Sequence, residues 1–214
     1  MGNNSVFSVD EAITMLMCRL SDSTGFKYLK SQRSLKKTIG QLVFEVLLFS
    51  SKWNESRKSV EVDAEFRVSY KKYGPVSTVH SIIASKSLKS EEGIWYDIST
   101  QDTLDHTYKM LNNKIHSTVV ELYNRFVEDT KNACRFLLND VFYEYSVALD
   151  YLAENLGMEA ILFRATEIVG SLNEEQRQQV IDYRNGAKNK SWMINRCNLR
   201  FIVDHGLFVD EKKL

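Results

Sequence analysis

Between Ser99 and Glu128 the apolar residues Leu104, Tyr108, Leu111, Ile115, Val119, Leu122 and Phe126 recur at steps of four, three, four, four, three and four. That spacing draws one stripe along an α-helix. At a rise of about 1.5 Å per residue such a helix is roughly 40 Å long, wider than a small domain. Before it the sequence alternates as strands do. After it the helical period persists to the end of the chain.

Upstream, Ser8-Val9-Asp10-Glu11 has the Ser-x-x-Glu form of a capping box. Ile13, Leu16, Met17 and Leu20 extend it as a helix over 9–20, closed by the polar run Ser21 to Gly25. From Phe26 the period falls to two. Strands are expected over Phe26 to Leu29, Leu35 to Thr38 and Gln41 to Ser50, the last apolar on both faces and hence central. Val60 to Tyr70 alternates most cleanly. Its Val60, Val62, Ala64, Phe66, Val68 and Tyr70 point one way, while Glu61, Asp63, Glu65, Arg67 and Ser69 point to a wet or polar-covered face. Tyr73-Gly74-Pro75 signals a turn, Val76 to Ser85 reads as the returning strand, Lys86 to Gly93 as a loop, and Ile94-Trp95-Tyr96 as a last strand. Connections this short favour antiparallel neighbours.

Ser99-Thr100-Gln101-Asp102 repeats the capping form at the head of the long helix. Further helices follow over Asn132 to Tyr145, Ser146 to Leu156 and Met158 to Val169. A third capping sequence, Ser171-Leu172-Asn173-Glu174, opens one that ends near Gly186, and the last runs from Ser191 to Asp204. Gly157, Gly170, Gly186 and Gly206 fit the positions after helix ends where a left-handed φ is wanted. No repeat recurs at a fixed period. No linker rich in Pro, Gly or Ser divides the chain, so residues 1–130, a sheet domain with the long helix, and residues 131–214, a helical region, are expected to form one compact unit. The fold class is α+β: an N-terminal helix and an antiparallel meander packed by a long helix, followed by a helical C-terminal half.

Composition narrows the function classes. With 43% hydrophobic and 26% charged residues the chain is ordinary globular protein. Cys18, Cys134 and Cys197 are odd in number and each lies among apolar residues, which suggests small buried hydrophobes in a reducing compartment. The longest apolar run, Leu42 to Phe49, is too short to span a bilayer and contains Glu45. The N-terminal apolar residues are interrupted by Asp10, Glu11 and Arg19, unlike a signal peptide. A cytoplasmic location without membrane partners is expected. Net charge is zero but segregated. Residues 1–90 hold 14 Lys/Arg against 8 Asp/Glu, a balance of +6, and residues 91–214 hold 14 against 20, a balance of −6. Such halves attract each other, or offer a basic and an acidic face to partners.

No constellation carries obvious catalysis. The histidines His80, His106, His116 and His205 lack metal-ligand spacing. His106, four residues after Asp102, has the form of a carboxylate-oriented base, although an acid-rich helix start explains the same residues. Glu61, Asp63, Glu65 and Arg67 form a distant echo of a metal-dependent nuclease, but arginine cannot serve as a base, and cross-strand pairing with lysines explains the row. Neither a Walker-type loop, nor Gly-x-Gly-x-x-Gly, nor a nucleophile elbow occurs. No cofactor, metal or catalytic residue is therefore expected. Basic Lys27, Lys30, Arg33, Lys36 and Lys37 interleave with Phe26 and Tyr28, and Lys52 stands beside Trp53. That pattern suits an acidic partner surface or, as the alternative, single-stranded nucleic acid. Asp140, Glu144, Asp150 and Glu154 are the acidic counterpart.

Gly25-Phe26-Lys27, the strand end Phe49-Ser50-Ser51-Lys52-Trp53-Asn54, the alternating strand from Val60, and Trp95 ahead of a long helix resemble a group of bacterial domains of unknown function. Some of these stand beside polymorphic toxins as suspected immunity proteins. The resemblance spans roughly residues 9–130; Phe49-Ser50 occupies the place of a glutamine before the Ser-Lys pair, and the helical region after residue 145 lies outside it. It implies a non-enzymatic protein-binding protein, with a toxin as one partner, and brings no catalytic residues with it.

Overall fold

The computed structural model describes residues 6–76, 78–90, 93–186 and 191–208. The fold is α+β, built from helices and an antiparallel sheet of six strands.

Helix α1 spans Val9–Thr24. Its capping box is formed: Glu11 N donates to Ser8 Oγ at 3.4 Å and Ser8 N donates to Glu11 Oε2 at 3.2 Å. The helix runs four residues past its expected end because its hydroxyls bond inward. Ser23 Oγ and Thr24 Oγ1 both donate to Leu20 O, at 3.1 and 2.7 Å. Gly25, at φ 66°, then closes it by donating to Ser21 O; only glycine adopts that conformation without a Cβ penalty.

The strands are β1 (Lys27–Leu29), β2 (Ser34–Ile39), β3 (Leu42–Ser50), β4 (Glu61–Tyr70), β5 (Ile82–Ser87) and β6 (Tyr96–Asp97), in spatial order β1-β2-β3-β4-β5 with β6 also paired to β4. In register, Lys27 faces Lys36 and Lys36 faces Glu45. The returning strand starts at Ile82 rather than Val76. Thr78 Oγ1 and Ser81 Oγ both donate to Pro75 O, at 2.8 and 2.7 Å, which curls the backbone into turns; Ser77 lies outside the described residues. Of the expected 86–93 loop, Lys86 and Ser87 belong to β5, and Glu91 and Glu92 lie outside the described residues. Ile94 and Trp95 precede β6, whose Tyr96 and Asp97 pair with Val62 and Glu61.

The alternation of β4 is as expected on its apolar side, where Val60, Val62, Ala64, Phe66 and Val68 are buried. Its other face is not wet. Glu61, Asp63, Glu65 and Arg67 are half-buried and Ser69 is buried. Ion pairs account for this: Arg67 reaches Glu65 at 2.8 Å and Lys89 reaches Asp63 at 3.4 Å. Likewise Glu45, buried on central β3, is held by Lys36 at 2.9 Å. A buried carboxylate without such a partner would be costly.

The long helical path is continuous over 101–128 but not uniform. Helix α2 (Gln101–Ile115) passes into a π-helical segment, His116–Val120, and then helix α3 (Glu121–Glu128). Its cap is Thr100 paired reciprocally with Thr103, not Ser99 with Asp102. Ser99 is engaged elsewhere, its Oγ accepting from Val60 N at 2.8 Å and donating to Asp97. The predicted stripe is buried, with Tyr108 half-buried. On the sheet side, the Phe44 ring meets Tyr123 and Phe126 edge-on at 5.2 and 5.8 Å. Against α1, the Arg19 guanidinium lies 4.2 Å over the Tyr108 ring and pairs with Asp105.

The second half contains α4 (Thr130–Asp140), α5 (Ala148–Leu156), α6 (Met158–Gly170), α7 (Glu174–Arg184), α8 (Ser191–Ile194) and α9 (Cys197–Asp204). Helix α4 stops five residues before Tyr145, the end expected for it. The Arg164 guanidinium takes the carbonyls of Leu138 and Asn139 in its last turn, at 2.9 and 3.1 Å, in place of further helical N–H groups. Asn173, not Ser171, caps α7, with Gln176 as its reciprocal partner. The expected helix 191–204 is broken into two, the turn being closed by Arg196 N donating to Met193 O at 3.1 Å. Gly170 ends α6 without a left-handed φ, whereas Gly157, Gly186 and Gly206 have positive φ.

Contacts divide the chain into two compact units, Met1–Val68 with Lys86–Glu128, and Ser69–Ser85 with Asp129–Leu214. The hairpin end between β4 and β5 thus groups with the helices. There the Tyr70 ring meets Tyr151 at 5.1 Å, and Val147 N donates to Ile82 O at 3.0 Å.

Candidate interaction groove

The turn from β6 into α2 is tied down by short polar contacts. Tyr96 Oη donates to Leu88 O at 2.6 Å, and Thr107 Oγ1 donates to Asp97 O at 2.7 Å. Ser90 Oγ accepts from Ile94 N and donates to Ile94 O, both at 2.9 Å. Burial, with Asp63 second, pushes the Tyr96 phenol up to about 12, so it remains a donor. Beside this turn opens a groove of about 560 Å³ lined by Ile94, Trp95, Met110, Asp102 and His106 among others. Ile94 is 56% exposed and Trp95 36%. Large apolar side chains held open over a cavity are the usual floor of a binding site.

Asp102 and His106 share this groove, yet among the described residues no hydrogen bond joins them. The neighbouring Asp105 is turned to Arg19 and Gln101, and the Arg19 hydrogen bond holds its carboxyl below the usual range. The groove therefore presents an apolar floor with acidic groups at its rim rather than an oriented base.

The basic residues singled out by sequence are split by the pleat of β2. Lys36 is paired with Glu45, while Lys37 points to the core face, its Nζ 4.4 Å over the Tyr123 ring and 5.4 Å over Phe26. Arg33 pairs with Asp10 at 3.2 Å, and Lys27 and Lys30 are exposed on or beside the edge strand β1. Lys52 and Trp53 stand together on the loop after β3, with Lys52 Nζ 4.9 Å from an indole that is 75% exposed. The loop is braced by Asn54, whose amide donates to Glu61 O and accepts from Glu61 N at 2.9 and 2.8 Å.

The acidic residues are partly engaged. Glu144 takes Arg196 at 3.3 Å and Glu154 takes Lys72 at 3.4 Å. Asp150 lies one turn from Glu154 on α5; burial, then the Glu154 charge, raises its carboxyl. Asp140 is exposed at the end of α4. Among the described residues no group of three or more His, Cys, Asp or Glu is placed to hold a metal, and no helix is long and apolar enough to cross a membrane. The cysteines divide: Cys134 and Cys197 are buried as expected, but Cys18 is exposed.

The groove was not foreseen because Ile94 and Trp95 read equally well as a buried strand. The one available signal was an apolar pair directly ahead of a helix start carrying Asp102 and His106. Comparison of this chain with protein-family models, with curated proteins and with solved structures finds no match.

Proposed function

We propose that this chain is a non-enzymatic protein-binding protein, of the immunity type that the sequence resemblance implies, and that the groove between β6 and α2 is its contact surface. The observation that carries this is Ile94 and Trp95, both well exposed over an apolar floor beside Asp97 and Asp102. The occupant that fits is a protein segment with one aliphatic or aromatic anchor flanked by Lys or Arg. An aromatic anchor in a pocket dominates such contacts, and rim charges set orientation and association rate.

The test is capture by the tagged chain from nuclease-treated lysate of its native cells, run in parallel with Ile94→Ser, Trp95→Ala and Asp102→Lys. The expected result is one stoichiometric protein that survives moderate salt, with retention at least tenfold lower in Trp95→Ala. Equal retention by all variants would refute the groove as the contact surface. A second reading, single-stranded nucleic acid on Trp53 and Lys52, is favoured by the exposure of that indole. It predicts oligonucleotide affinity that falls steeply with salt and with Trp53→Ala.

A further inference from the structure

Cys197, the first residue of α9, is only 6% exposed, yet its sulfur lies among polar groups. His80 Nδ1 is 3.6 Å from Sγ, and Arg200 Nη2 donates to Sγ at 3.1 Å. Arg200 Nη2 also stands 3.4 Å from His80 Nδ1. A guanidinium carries donors only, so Nδ1 beside it presents its lone pair, with the ring proton on Nε2. The thiol hydrogen then has two acceptors in reach: Nδ1, whose single lone pair Arg200 also approaches, and Val79 O at 3.9 Å. The imidazole nitrogen is both nearer and the only base of the two.

Cys197 and Arg200 also line a pocket of about 270 Å³ with Val147, Asp150, Phe201 and His205. The Arg200 Nε is buried without a hydrogen-bond partner among the described residues. A nucleophile and a cation at its sulfur opening on a small pocket, with an exposed base in contact with the sulfur from outside that lining, are the parts of an activated thiol. We propose that Cys197 is a modification site for small soft electrophiles, its sulfur acting as nucleophile and His80 as the base.

The step balances simply for an alkyl halide. A sulfur electron pair forms the S–C bond, the carbon–halogen bond breaks, and halide leaves with the bonding pair. The thiol proton passes to His80 Nδ1. Arg200 is a positioning residue, holding the sulfur toward the imidazole and the developing charge beside its guanidinium. The other thiols lack these parts. Cys18 is exposed on α1, and burial, followed by the Asp129 charge, pushes the Cys134 thiol up to about 12.

The experiment is competition within one molecule. The full, reduced chain is treated with limiting iodoacetamide at neutral pH, quenched and digested, and the three cysteine peptides are quantified by mass spectrometry. Cys197 is expected to react several-fold faster than Cys18, although Cys18 has the advantage of exposure, and Cys134 slowest. In His80→Gln the Cys197 rate should fall at least fivefold with the Cys18 rate unchanged, while Arg200→Lys, which keeps a cationic donor, should retain part of it. Slow Cys134 labelling in each variant reports that the helical unit is folded. The wild-type ratio decides the matter even where a variant does not fold. Cys18 reacting as fast as or faster than Cys197, or a ratio untouched by His80→Gln, overturns the proposal.

Discussion

Asn198 is fully buried on α9, and three backbone groups depend on it. Leu149 N donates to its Oδ1 at 2.9 Å, and its Nδ2 donates to Tyr143 O at 3.0 Å and Glu144 O at 2.7 Å. Helix α5 starts after Val147, which offers no side-chain cap. Its first N–H groups are served instead by Ser146 Oγ, at Ala148, and by Asn198, at Leu149. Asn198→Ala removes all three bonds at once. A buried backbone group left unpaired costs about 1–3 kcal/mol, and water entering the vacated space offsets part of the sum. A loss of about 3 kcal/mol is the expected net, a large share of a stability of roughly 5–15 kcal/mol. Asn198→Asp keeps the acceptor for Leu149 but turns a carboxylate toward two carbonyls. Its folded-state pKa is therefore raised, so its deficit is smallest in acid and grows as pH rises from the unfolded toward the folded value. Urea unfolding, followed by far-UV circular dichroism and tryptophan fluorescence, reads both variants. A loss under about 0.5 kcal/mol in Asn198→Ala, or wild-type stability of Asn198→Asp at pH 7, would show that these bonds do not hold the helices.

Phe44→Ala, which empties a site between Tyr123 and Phe126, should cost about 3–5 kcal/mol, whereas Phe49→Ala on the other face of β3, where the ring is 40% exposed, should cost under about 1 kcal/mol; equal losses in chemical denaturation would contradict the register of β3. Ser8→Ala should cost about 1 kcal/mol through loss of the α1 cap. The hydrogen bonds from the Ser8 backbone and hydroxyl hold the Glu11 carboxyl below its usual 4.5, so that contribution is complete above 4.5 and is lost as pH falls through the folded value; Glu11→Gln should flatten the acid limb of a stability–pH curve, and an unchanged limb would exclude the box as its source. Deletion of exposed Ser117 in the π-helical segment should be tolerated, because an i→i+5 turn carries one residue more than an α turn and removing it leaves the flanking helices in phase. Deletion of Lys109 in α2 turns everything beyond it by roughly 100°; thermal melts that rank the two deletions in the opposite order would refute this account.

What could be read from the chain beforehand, and what could not, divides along one physical line. Burial on a single face writes a period into the sequence, so the stripe Leu104 to Phe126 and the alternation Val60 to Val68 were legible residue by residue. A hydroxyl or amide that bonds to a backbone group far away writes nothing periodic. Ser99 has the capping form with Asp102, but its hydroxyl is taken by Val60 N, 39 residues distant, and Thr100 caps α2 instead. Val76 to Ser81 has strand composition, yet two hydroxyls sharing Pro75 O curl Thr78 to Ser81 into turns. The π-helical segment, His-Ser-Thr-Val-Val, was visible only as a run of indifferent helix formers, since tertiary packing decides which way such a run goes. Both surface readings were hidden for the same reason. Ile94 and Trp95 announce hydrophobicity but not exposure, and Cys197 and His80 stand 117 residues apart with no spacing rule to join them. Asn198, a polar residue on a short amphipathic helix, reads as solvent-facing by every local criterion. It is buried because the start of α5 needs an acceptor that Val147 lacks. The same demand for satisfied backbone groups that makes it invisible in the sequence is what makes its removal costly.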